Sequence, residues 1–500
     1  MTKILNELIR ELPAGSYTIQ GDPSVALSGI AADSRKVGPG MCFVAVNGTA
    51  VDGHRFIPAA IEAGAAAVVC DAAYRLPEGC DAAGCAIVRV ADTAEALGIL
   101  ASAWHGHPSR RLTLVGVTGT NGKTTIATLL YDMARLRGQR AGLLSTVVNR
   151  IDDRAVPSTH TTPDPLELNA LLAEMVEAGC TFAAMEVSSH ACAQKRIAGL
   201  RFAGGVFTNL TRDHLDYHKT FQAYLEAKKS FFDALPADAW ALVNADDSHA
   251  RILVQNTRAR VSTYSLRSPA DFRGAVVENH LDGLLMRIDG QEVQTRFAGR
   301  FNASNLLAVY GAERLLGTPQ MEALTALSAL HPVAGRFQTF HGAGITAIVD
   351  YAHTPDALVN VLDTIREAAG ATAGIITVCG CGGDRDHGKR PMMAAEAAAR
   401  STHLIITSDN PRSEDPAAIA ADMLAGLDDD ARTRCEVVLD RAEAISRAIT
   451  AAQPGEVVLI AGKGHEDYQI IGSERRHFDD REQVAGALRE KSLKFKKLKS

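Results

Sequence analysis

Short apolar runs rich in valine, isoleucine and leucine alternate with alanine-rich stretches along the chain. This alternation is typical of strand–helix units, in which helices cover a mostly parallel sheet. The runs fall into three blocks, so the pattern predicts three α/β domains in series. The predicted strands are 41–46, 65–71 and 86–92, then 112–117, 141–148, 181–187, 204–209 and 240–246, then 345–350, 374–380, 403–409, 435–440 and 457–462.

Two breaks in this pattern predict the domain boundaries. The segment His105–Arg111 is short and polar and contains a proline, which indicates a linker. The third block begins near Pro332. We therefore predict an N-terminal domain over residues 1–107, a central domain over 108–332 and a C-terminal domain over 333–500.

One part of the central block differs from the rest. Residues 260–300 are more polar and alternate in hydrophobicity, which is typical of antiparallel strands. The pairs Asp282-Gly283 and Asp289-Gly290 favour tight hairpin turns. We therefore predict hairpins in this stretch.

Composition narrows the possible classes of protein. Of 500 residues, 46% are hydrophobic and 22% are charged, which excludes long disorder, collagen and coiled coil. No apolar run reaches the roughly 18 residues of a membrane span, no secretory signal is expected, and the nine cysteines form no disulfide pattern. We expect a cytoplasmic protein with reduced thiols. The net charge of −6 argues against nucleic-acid binding, and Lys491–Ser500 is expected to be a solvated, frayed end.

A glycine-rich loop at 116–125, GVTGTNGKTT, lies between an apolar run and a stretch of helical periodicity. This order suits phosphate binding, because glycines let backbone N–H groups approach phosphates and a helix N-terminus adds a positive dipole. Lys123 is expected to reach the β- and γ-phosphates, and Thr124 to bind Mg²⁺. Val117 stands where the strict pattern has glycine, so a chance glycine-rich turn is the alternative.

Charged and imidazole side chains follow two more strands of the central block. Glu186 ends one of them, and TNLTRDHLDYH places Asp213, His214, Asp216 and His218 after another. Carboxylates and imidazoles at this density suit a metal–phosphate site. A solvated strand end and an exposed polar loop are the alternatives.

Loops after strands of the third block also carry charge. The loop 379–391, CGCGGDRDHGKRP, is cationic and suits carboxylates or phosphates. In 408–416, SDNPRSEDP, Arg412 lies beside an aspartate and an asparagine, and donors next to acceptors suit a zwitterion such as an amino acid. The loop 462–469, GKGHEDYQ, is similar in kind, with simple turns as the alternative. Motifs of common hydrolases do not occur in the sequence.

Together these motifs resemble those of the Mur ligases of bacterial cell-wall synthesis, from about Asp33 to Glu466. The motifs are GTNGKTT, HTTPD, EVSSH, TNLTRDHLDYH, AGRFNASN, DYAHTPD, CGGDRDHGKRP, DNPR and GKGHE. The family spaces the glycines of its nucleotide loop as here, which accounts for Val117. The resemblance implies an N-terminal domain for the UDP part, a central P-loop ATPase-like domain and a C-terminal Rossmann-like domain.

The resemblance also implies a reaction in peptidoglycan precursor synthesis. ATP phosphorylates a carboxylate of UDP-MurNAc-L-Ala-D-Glu, and the amine of a diamino acid then attacks the acyl phosphate. The DNPR motif resembles that of members that add meso-diaminopimelate, whose second carboxylate Arg412 can bind, whereas L-lysine has none. The implied cofactors are ATP and Mg²⁺. The implied partners are the two small-molecule substrates, with neither nucleic acid nor membrane span, and a monomer is expected.

Family roles carry over to this sequence motif by motif. Catalytic roles fall on Lys123, Lys228 and His214. ATP contacts fall on Gly119, Thr120, Asn121, Gly122, Lys123, Thr124, Thr125, Asn302, Arg336 and Asp350. Contacts to the UDP-MurNAc-dipeptide fall on Ala32, Ser34, Thr49, Ala50, Val51, Thr161, Thr162, Ser188, Gln194 and Arg196. Contacts to meso-diaminopimelate fall on Arg385, Asp409, Asn410, Pro411, Arg412, Gly462 and Glu466. The implied Mg²⁺ ligands are Thr124, Glu186, His214 and Lys228 as a carbamate.

Several alternatives stay open on the sequence. Without the resemblance, Lys228 and Lys229 would be a surface pair on a helix, and Lys229 is the neighbouring candidate for the carbamate. The enzyme could add L-lysine, or be another ligase of the superfamily, such as folylpolyglutamate synthase or the enzyme that adds D-Ala-D-Ala. A non-catalytic ATP-binding switch is a further class. A phosphotransferase would leave the DNPR and GKGHE loops unexplained.

Overall fold

The computed structural model describes residues 2–48, 51–158 and 160–499 of the chain. The first block forms a sheet in the order β2-β7-β6-β5-β4, in which β4 to β7 are parallel and β2 is antiparallel to β7. The predicted strands of this block are confirmed. Its strands are β1 Lys3–Ile4, β2 Tyr17–Gln20, β3 Ala26–Leu27, β4 Gly29–Ala31, β5 Met41–Val44, β6 Ala67–Asp71 and β7 Ala86–Val90, and its helices are α1 Leu5–Ile9, α2 Ile57–Glu62 and α3 Thr93–Trp104.

The segment interpreted as a linker is packed against the second block. Pro108–Arg110 form a 3₁₀ turn in which Pro108 and Ser109 are buried. The Ser109 hydroxyl accepts a hydrogen bond from the backbone N–H of Arg201 (3.0 Å). Helix α3 also contacts the helix Pro165–Glu177 of the second block across this junction. The junction is therefore held by contacts on both sides.

The central block contains the sheet β11-β10-β9-β12-β8-β13-β14-β15-β16-β17-β18, which is parallel from β9 to β16. Its strands are β8 Thr113–Thr118, β9 Ala141–Leu144, β10 Asn149–Ile151, β11 Arg154–Val156, β12 Phe182–Glu186, β13 Gly204–Phe207, β14 Trp240–Asn244, β15 Arg260–Ser265, β16 Phe272–His280, β17 Gly283–Ile288 and β18 Gln291–Thr295. Its helices are α4 Lys123–Leu136, α5 Pro165–Glu177, α6 Ser189–Ala193, α7 Leu215–His218, α8 Phe221–Asp233, α9 Ala250–Leu253, α10 Arg300–Leu315 and α11 Gln320–Ala329.

The hairpin prediction is confirmed in part. Strands β16, β17 and β18 are antiparallel, with turns after His280 and Ile288. The prediction is wrong for the beginning of the stretch, because β15 is parallel to both β14 and β16. The residues of β15 alternate in exposure because one face of the strand is more exposed than the other. Such alternation does not reveal the direction of a strand.

Helices cover both faces of the central sheet. One buried cluster joins α4, α10 and α11 to the sheet, and a second joins α5 and α8 to its other face. Side chains cap several of these helices: Asp164 accepts two backbone N–H groups at the start of α5, and Thr220 caps α8. Because β8, β12 and β13 are parallel, the loops at their carboxyl ends converge at one edge of the sheet.

The third block contains the sheet β19-β20-β24-β21-β22-β23, which is parallel except for β19. This arrangement confirms the predicted strands. Its strands are β19 Gln338–Gly342, β20 Ile345–Asp350, β21 Ile375–Cys379, β22 His403–Ile406, β23 Cys435–Val437, β24 Val457–Ala461, β25 Tyr468–Ile471 and β26 Glu474–His477. Its helices are α12 Pro355–Ala369, α13 Lys389–Arg400, α14 Pro416–Leu424, α15 Asp429–Thr433, α16 Arg441–Ala451 and α17 Asp480–Lys499.

A buried ion pair fastens α17 to this sheet. Arg441 binds both carboxylate oxygens of Asp480 (2.8 and 2.7 Å), and neither side chain is exposed. The same guanidinium donates to the carbonyl oxygens of Ser408 (3.3 Å) and Ala461 (3.0 Å), at the ends of two strand–loop junctions. One side chain thus supports the loops that follow β22 and β24.

Three further expectations concern membrane spans, cysteines and the C-terminal tail. Within the described ranges, no helix carries an apolar stretch of the length that a bilayer requires. The nine cysteines are free thiols. The expectation of a frayed end is wrong for the backbone, because α17 continues to Lys499. Lysine and leucine, which are frequent there, favour helix.

Candidate active site

The loop between β8 and α4 has the backbone of a phosphate cradle. Gly119 (φ 147°) and Gly122 (φ 88°) adopt conformations that favour glycine. A Cβ atom on Gly122 would lie 2.5 Å from Asn305 Oδ1 of α10, and one on Gly119 would overlap Thr208. Val117 lies within β8, paired on both sides with β12 and β13. No glycine is therefore needed at that position.

Polar side chains hold this loop in place. The Thr120 hydroxyl shares a hydrogen bond with Tyr224 (3.0 Å), and the backbone N–H of Asn121 donates to Asn209 Oδ1 (2.9 Å). Lys123 Nζ donates to two carbonyl oxygens of its own loop, Gly119 (2.9 Å) and Thr120 (2.8 Å). Burial lowers the pKa of Lys123. A phosphate entering the loop would meet this amine and, beyond it, Thr124 and Thr125 in the first turn of α4.

A guanidinium from the third block reaches the same loop. Arg336 Nη2 donates to Thr124 Oγ1 (3.0 Å), and the guanidinium carbon lies 4.5 Å from the centre of the Tyr351 ring. Arg336 Nε is buried without a partner in the described ranges. Asp350, at the end of β20, accepts two backbone N–H groups (2.7 Å each), and burial raises its pKa. Arg336 thus adds a cation next to Thr124.

Asn302 is the remaining residue expected to contact ATP, and it is buried in the first turn of α10. Its amide nitrogen donates to the carbonyl oxygen of Ala298 (2.9 Å), and its Oδ1 lies 3.4 Å from Asn305 Nδ2. Asn305 in turn packs on Gly122. Asn302 is therefore linked to the phosphate loop through one residue.

The two adjacent lysines of α8 have different surroundings. Lys228 is buried, donates to the carbonyl oxygen of Gly119 (2.7 Å), and lies 4.7 Å from the centre of the Tyr224 ring. Burial and the nearby charge of Lys123 lower its pKa well below the usual value. Lys229 instead forms an ion pair with Asp233 one turn away (2.6 Å). Only Lys228 faces the phosphate loop as an amine that burial drives towards the neutral form.

A network of hydrogen bonds surrounds Glu186 at the end of β12. Glu186 Oε1 accepts the backbone N–H of Thr146 (2.7 Å), whose hydroxyl donates to Thr161 (3.0 Å). The Thr162 hydroxyl donates to the carbonyl oxygen of Glu186 (2.9 Å) and lies 3.3 Å from Ser188 Oγ. The end of β12 and the loop that carries Thr161 and Thr162 are therefore fixed to each other.

The network continues to two more residues expected at the acceptor. Arg196 donates to the carbonyl oxygen of Thr162 (2.7 Å) and binds Gln194 Oε1 through two nitrogens (2.9 and 2.7 Å). Gln194 donates to the Tyr217 hydroxyl (3.1 Å). The structure thus brings together Thr161, Thr162, Ser188, Gln194 and Arg196 beside Glu186.

His214 borders the same region. It has a left-handed backbone (φ 54°), its Nε2 lies 3.4 Å from Asp213 Oδ2, and its ring packs edge-on against His190 (4.9 Å). Burial lowers the pKa of His214 to about 4. The imidazole is therefore neutral near pH 7 and can act as a ligand. The side chain of Asp216 lies outside the described part of the chain.

The residues expected at the uridine lie in the first block. Ala32 is exposed, and Ser34 begins a 3₁₀ turn that Asp33 caps. Val51 is exposed, and its carbonyl oxygen accepts the backbone N–H of Gly48 (3.2 Å). Thr49 and Ala50 lie outside the described residues.

Two loops of the third block meet where an amino acid is expected. A Cβ atom on Gly462 would lie 2.8 Å from Asp409 Oδ2, so glycine permits their close approach. Arg412 has a left-handed backbone (φ 53°) that is hydrogen-bonded on both sides: its N–H donates to the carbonyl oxygen of Ile470 in β25 (3.1 Å), and its carbonyl oxygen accepts from Gly472, just after that strand (2.7 Å). These bonds fix the backbone of Arg412.

Polar groups of these loops face each other. Asn410 Nδ2 donates to Glu466 Oε2 (2.8 Å), and burial raises the pKa of Glu466. Arg412 Nη1 donates to the carbonyl oxygen of Gly383 (2.7 Å), while Pro411 is buried next to it in the loop. Arg385, which is exposed, flanks the same glycine-rich turn. These adjoining loops therefore carry two guanidinium groups and a carboxylate, a combination that suits a substrate with charges of both signs.

The expected Mg²⁺ ligands do not form a closed cage. In the described ranges, no group of three His, Cys, Asp or Glu side chains is placed to hold a metal. Thr124 is bound by Arg336, and Glu186 by a backbone N–H. This open arrangement fits Mg²⁺, which binds one or two protein ligands together with phosphate oxygens and water.

Three residues of the site lie outside the set predicted from the sequence. Tyr224 lies between Thr120 and Lys228, Thr146 between Glu186 and Thr161, and Tyr217 beside Gln194. Thr146 belongs to no motif, whereas both tyrosines lie in or near the TNLTRDHLDYH segment. A helical projection of α8 would have placed Tyr224 and Lys228 on one face, since they are four residues apart.

Comparison with known proteins supports a single family. Models of the Mur ligase family catalytic domain, the Mur ligase middle domain and the Mur ligase glutamate ligase domain match residues 26–105, 117–312 and 335–464. A protein of Parabacteroides distasonis named UDP-N-acetylmuramoyl-L-alanyl-D-glutamate--2,6-diaminopimelate ligase is 56% identical, covering 96% of this chain and 98% of its own. One of the same name from Geobacillus kaustophilus is 41% identical, covering 97% and 99%.

Solved structures agree with this assignment. A structure of a UDP-N-acetylmuramoyl-L-alanyl-D-glutamate--2,6-diaminopimelate ligase has a TM-score of 0.68 at 33% identity, covering 98% of this chain and 99% of that chain. The MurF ligase of Thermotoga maritima in complex with ADP shares the fold at a TM-score of 0.59 and 18% identity, covering 93% and 98%. With its three-domain α/β architecture and these relatives, the chain belongs to the Mur ligase family.

Proposed function

We propose that this chain is an ATP-dependent ligase that joins meso-diaminopimelate to the D-Glu carboxylate of UDP-MurNAc-L-Ala-D-Glu. The observation that carries the proposal is the meeting of the DNPR and GKGHE loops, where Arg412 and Glu466 offer opposite charges. Relatives named for this reaction match nearly the whole chain. The reaction belongs to peptidoglycan precursor synthesis.

The phosphate loop supplies positioning and positive charge. The amine of Lys123 and the guanidinium of Arg336 flank the loop, where both can bind the oxygens of ATP as charge develops during transfer. The backbone N–H groups of Gly119 to Thr125 and the N-terminus of α4 add partial positive charge. These groups favour transfer of a phosphoryl group from ATP to the acceptor carboxylate, which releases ADP. An amine can then attack the resulting acyl phosphate.

Lys228 is the proposed carbamate. Burial lowers the pKa of its amine, which favours the neutral form that can add CO₂ with loss of a proton and so give an anion on a long side chain. With Thr124, Glu186 and His214, it would hold Mg²⁺, which neutralises phosphate charge when bound. Lys229 is unsuited because its ammonium is already paired with Asp233.

The acceptor is assigned to the network around Glu186. Thr161, Thr162, Ser188, Gln194 and Arg196 offer hydroxyl, amide and guanidinium groups to the sugar and dipeptide. We assign the uridine end to Ala32, Ser34 and Val51, together with Thr49 and Ala50.

The amino-acid site distinguishes the two diamino acids. Arg412 can bind the distal carboxylate of meso-diaminopimelate with two hydrogen bonds, with Arg385 and the loop residues Asp409, Asn410 and Gly462 beside it. L-lysine lacks that carboxylate and would leave the guanidinium without a counter-charge from the substrate.

Three further assignments complete the proposal. We place the domain boundaries at 107/108 and 332/333, between the sheets described above. We propose a monomer, since each substrate is assigned to residues of one chain. We propose a cytoplasmic location, because nucleotide substrates are available there and thiols stay reduced.

ADP release by the purified protein tests the function. The assay contains Mg²⁺, ATP and UDP-MurNAc-L-Ala-D-Glu, with meso-diaminopimelate or L-lysine in parallel. Turnover with meso-diaminopimelate alone is expected. Turnover with L-lysine would overturn the role of Arg412, and absence of turnover with either would favour a sister ligase or a non-catalytic ATP binder.

A further inference from the structure

A fully buried lysine lies between the two loops assigned to the incoming amino acid. The side chain of Lys463 is 0% exposed, and its Nζ lies 3.1 Å from Glu466 Oε2 and 3.2 Å from Asn410 Oδ1. The ammonium also lies 5.3 Å from the centre of the Tyr468 ring. A buried charge of this kind persists when it is paired and hydrogen-bonded. The proposed reaction uses Asn410 and Glu466 but leaves Lys463 without a role.

The first consequence concerns the amide of Asn410. Its Oδ1 accepts from Lys463 Nζ and from the backbone N–H of Ile470 (3.0 Å), while its Nδ2 donates to Glu466 Oε2 (2.8 Å). The reversed amide would place its NH₂ group against two donors. Lys463, which can only donate, therefore helps to fix one orientation of Asn410.

The second consequence concerns the carboxylate of Glu466. Both donors, Lys463 Nζ and Asn410 Nδ2, bind Oε2. From the part of the chain that the structure describes, Oε1 receives no hydrogen bond. The triangle of Lys463, Asn410 and Glu466 thus leaves one carboxylate oxygen available to a further cation.

The third consequence concerns the charge of Glu466. Burial and the neighbouring carboxylate of Asp409 raise its pKa, and Lys463 opposes this rise. The phenols of Tyr351 and Tyr468 face the same carboxylate, which contributes to their raised pKa values. Lys463 is the cation bound directly to Glu466, so it favours the ionised carboxylate.

We propose that Lys463 is a positioning residue that selects the incoming diamino acid. It holds Asn410 and Glu466 so that Glu466 Oε1, ionised, receives the ammonium at the far end of the substrate. This inference rests on the proposed function, because it requires a diamino acid between the two loops.

Steady-state kinetics of Lys463→Met in the full chain test the proposal. The KM for meso-diaminopimelate is expected to rise tenfold or more, while the KM values for ATP and the UDP-MurNAc-dipeptide stay within twofold. The acid limb of kcat/KM for meso-diaminopimelate is expected to move to higher pH, because Glu466 loses its cation. A lysine that merely fills space would not move that limb.

A double variant separates action through Glu466 from an independent effect. Glu466→Gln and Lys463→Met/Glu466→Gln are expected to agree within twofold in KM for meso-diaminopimelate. Multiplied effects in the double variant, or an unchanged KM and pH limb in Lys463→Met, would overturn the proposal. If Lys463→Met does not fold, Lys463→Gln keeps a donor without charge and is expected to shift the acid limb in the same way. Wild-type protein without turnover on meso-diaminopimelate would instead refute the proposed function itself.

Discussion

Asp480→Asn should lower the melting temperature of the C-terminal block by a large and calculable amount. Neither Asp480 nor Arg441 is exposed, and two hydrogen bonds of 2.8 and 2.7 Å join them. Removing one partner of such a pair leaves an uncompensated buried charge, at a cost of about 3–5 kcal/mol. For a block of this size, each kcal/mol corresponds to about 2–4 °C, so a decrease of about 6–20 °C is expected.

Differential scanning calorimetry of the full chain measures this change. The transition of the C-terminal block should move, while those of the other blocks should stay in place. Arg447→Ala is the matched control, because Arg447 lies on the same helix α16 and forms exposed ion pairs with Glu443 and Glu436. Exposed pairs contribute little to stability. If Asp480→Asn and Arg447→Ala shift the transition equally, the assignment of a strong buried pair is refuted.

Four other changes test the site and the fold. Lys228→Met is expected to lower kcat by about 100-fold or more, as loss of an electrostatic group in the reacting centre does, whereas Lys229→Met should keep kcat within a few-fold; equal losses would contradict the carbamate assignment. Arg412→Met should raise the KM for meso-diaminopimelate by about 30-fold or more, the effect of about 2 kcal/mol or more for a truncated charge pair, with the KM for ATP unchanged; parallel rises in both would remove its assigned role. Gly122→Ala places a side chain at φ 88° and should raise the Kd for ATP, measured by calorimetric titration, with wild-type affinity as the contrary result. Burial lowers the pKa of His465 to about 2, so the folded state binds fewer protons than the unfolded state below about pH 6.5; stability should fall as pH drops from 6.5 towards 2, and His465→Gln should flatten this decline in urea titrations.

The local sequence contains enough information for the strands and the phosphate loop. Strands β8, β12 and β24 are buried on both faces, so continuous apolar runs reveal them. The order of strands in each sheet is set by contacts between distant segments and has no local signal. Strand β15 shows the same limit, because its alternation fits a half-exposed strand in either direction.

Parts of the candidate site depend on features that the local sequence does not specify. Motifs indicated Lys123 and Glu466, but the choice between Lys228 and Lys229 depends on a helical rotation of about 100° between neighbours. That rotation turns one amine to the phosphate loop and the other to Asp233. The place of Thr146 beside Glu186 depends on the pairing of β9 with β12, which the sequence alone does not specify.

The pair of Arg441 and Asp480 has a consequence for biosynthesis. A chain emerging from the ribosome completes the phosphate loop at 119–125 long before residue 480 is made. Until Asp480 emerges, the guanidinium that supports the carbonyl oxygens of Ser408 and Ala461 lacks its buried counter-charge. The central block can therefore fold on the ribosome before the C-terminal block gains the buried pair that supports its two loops.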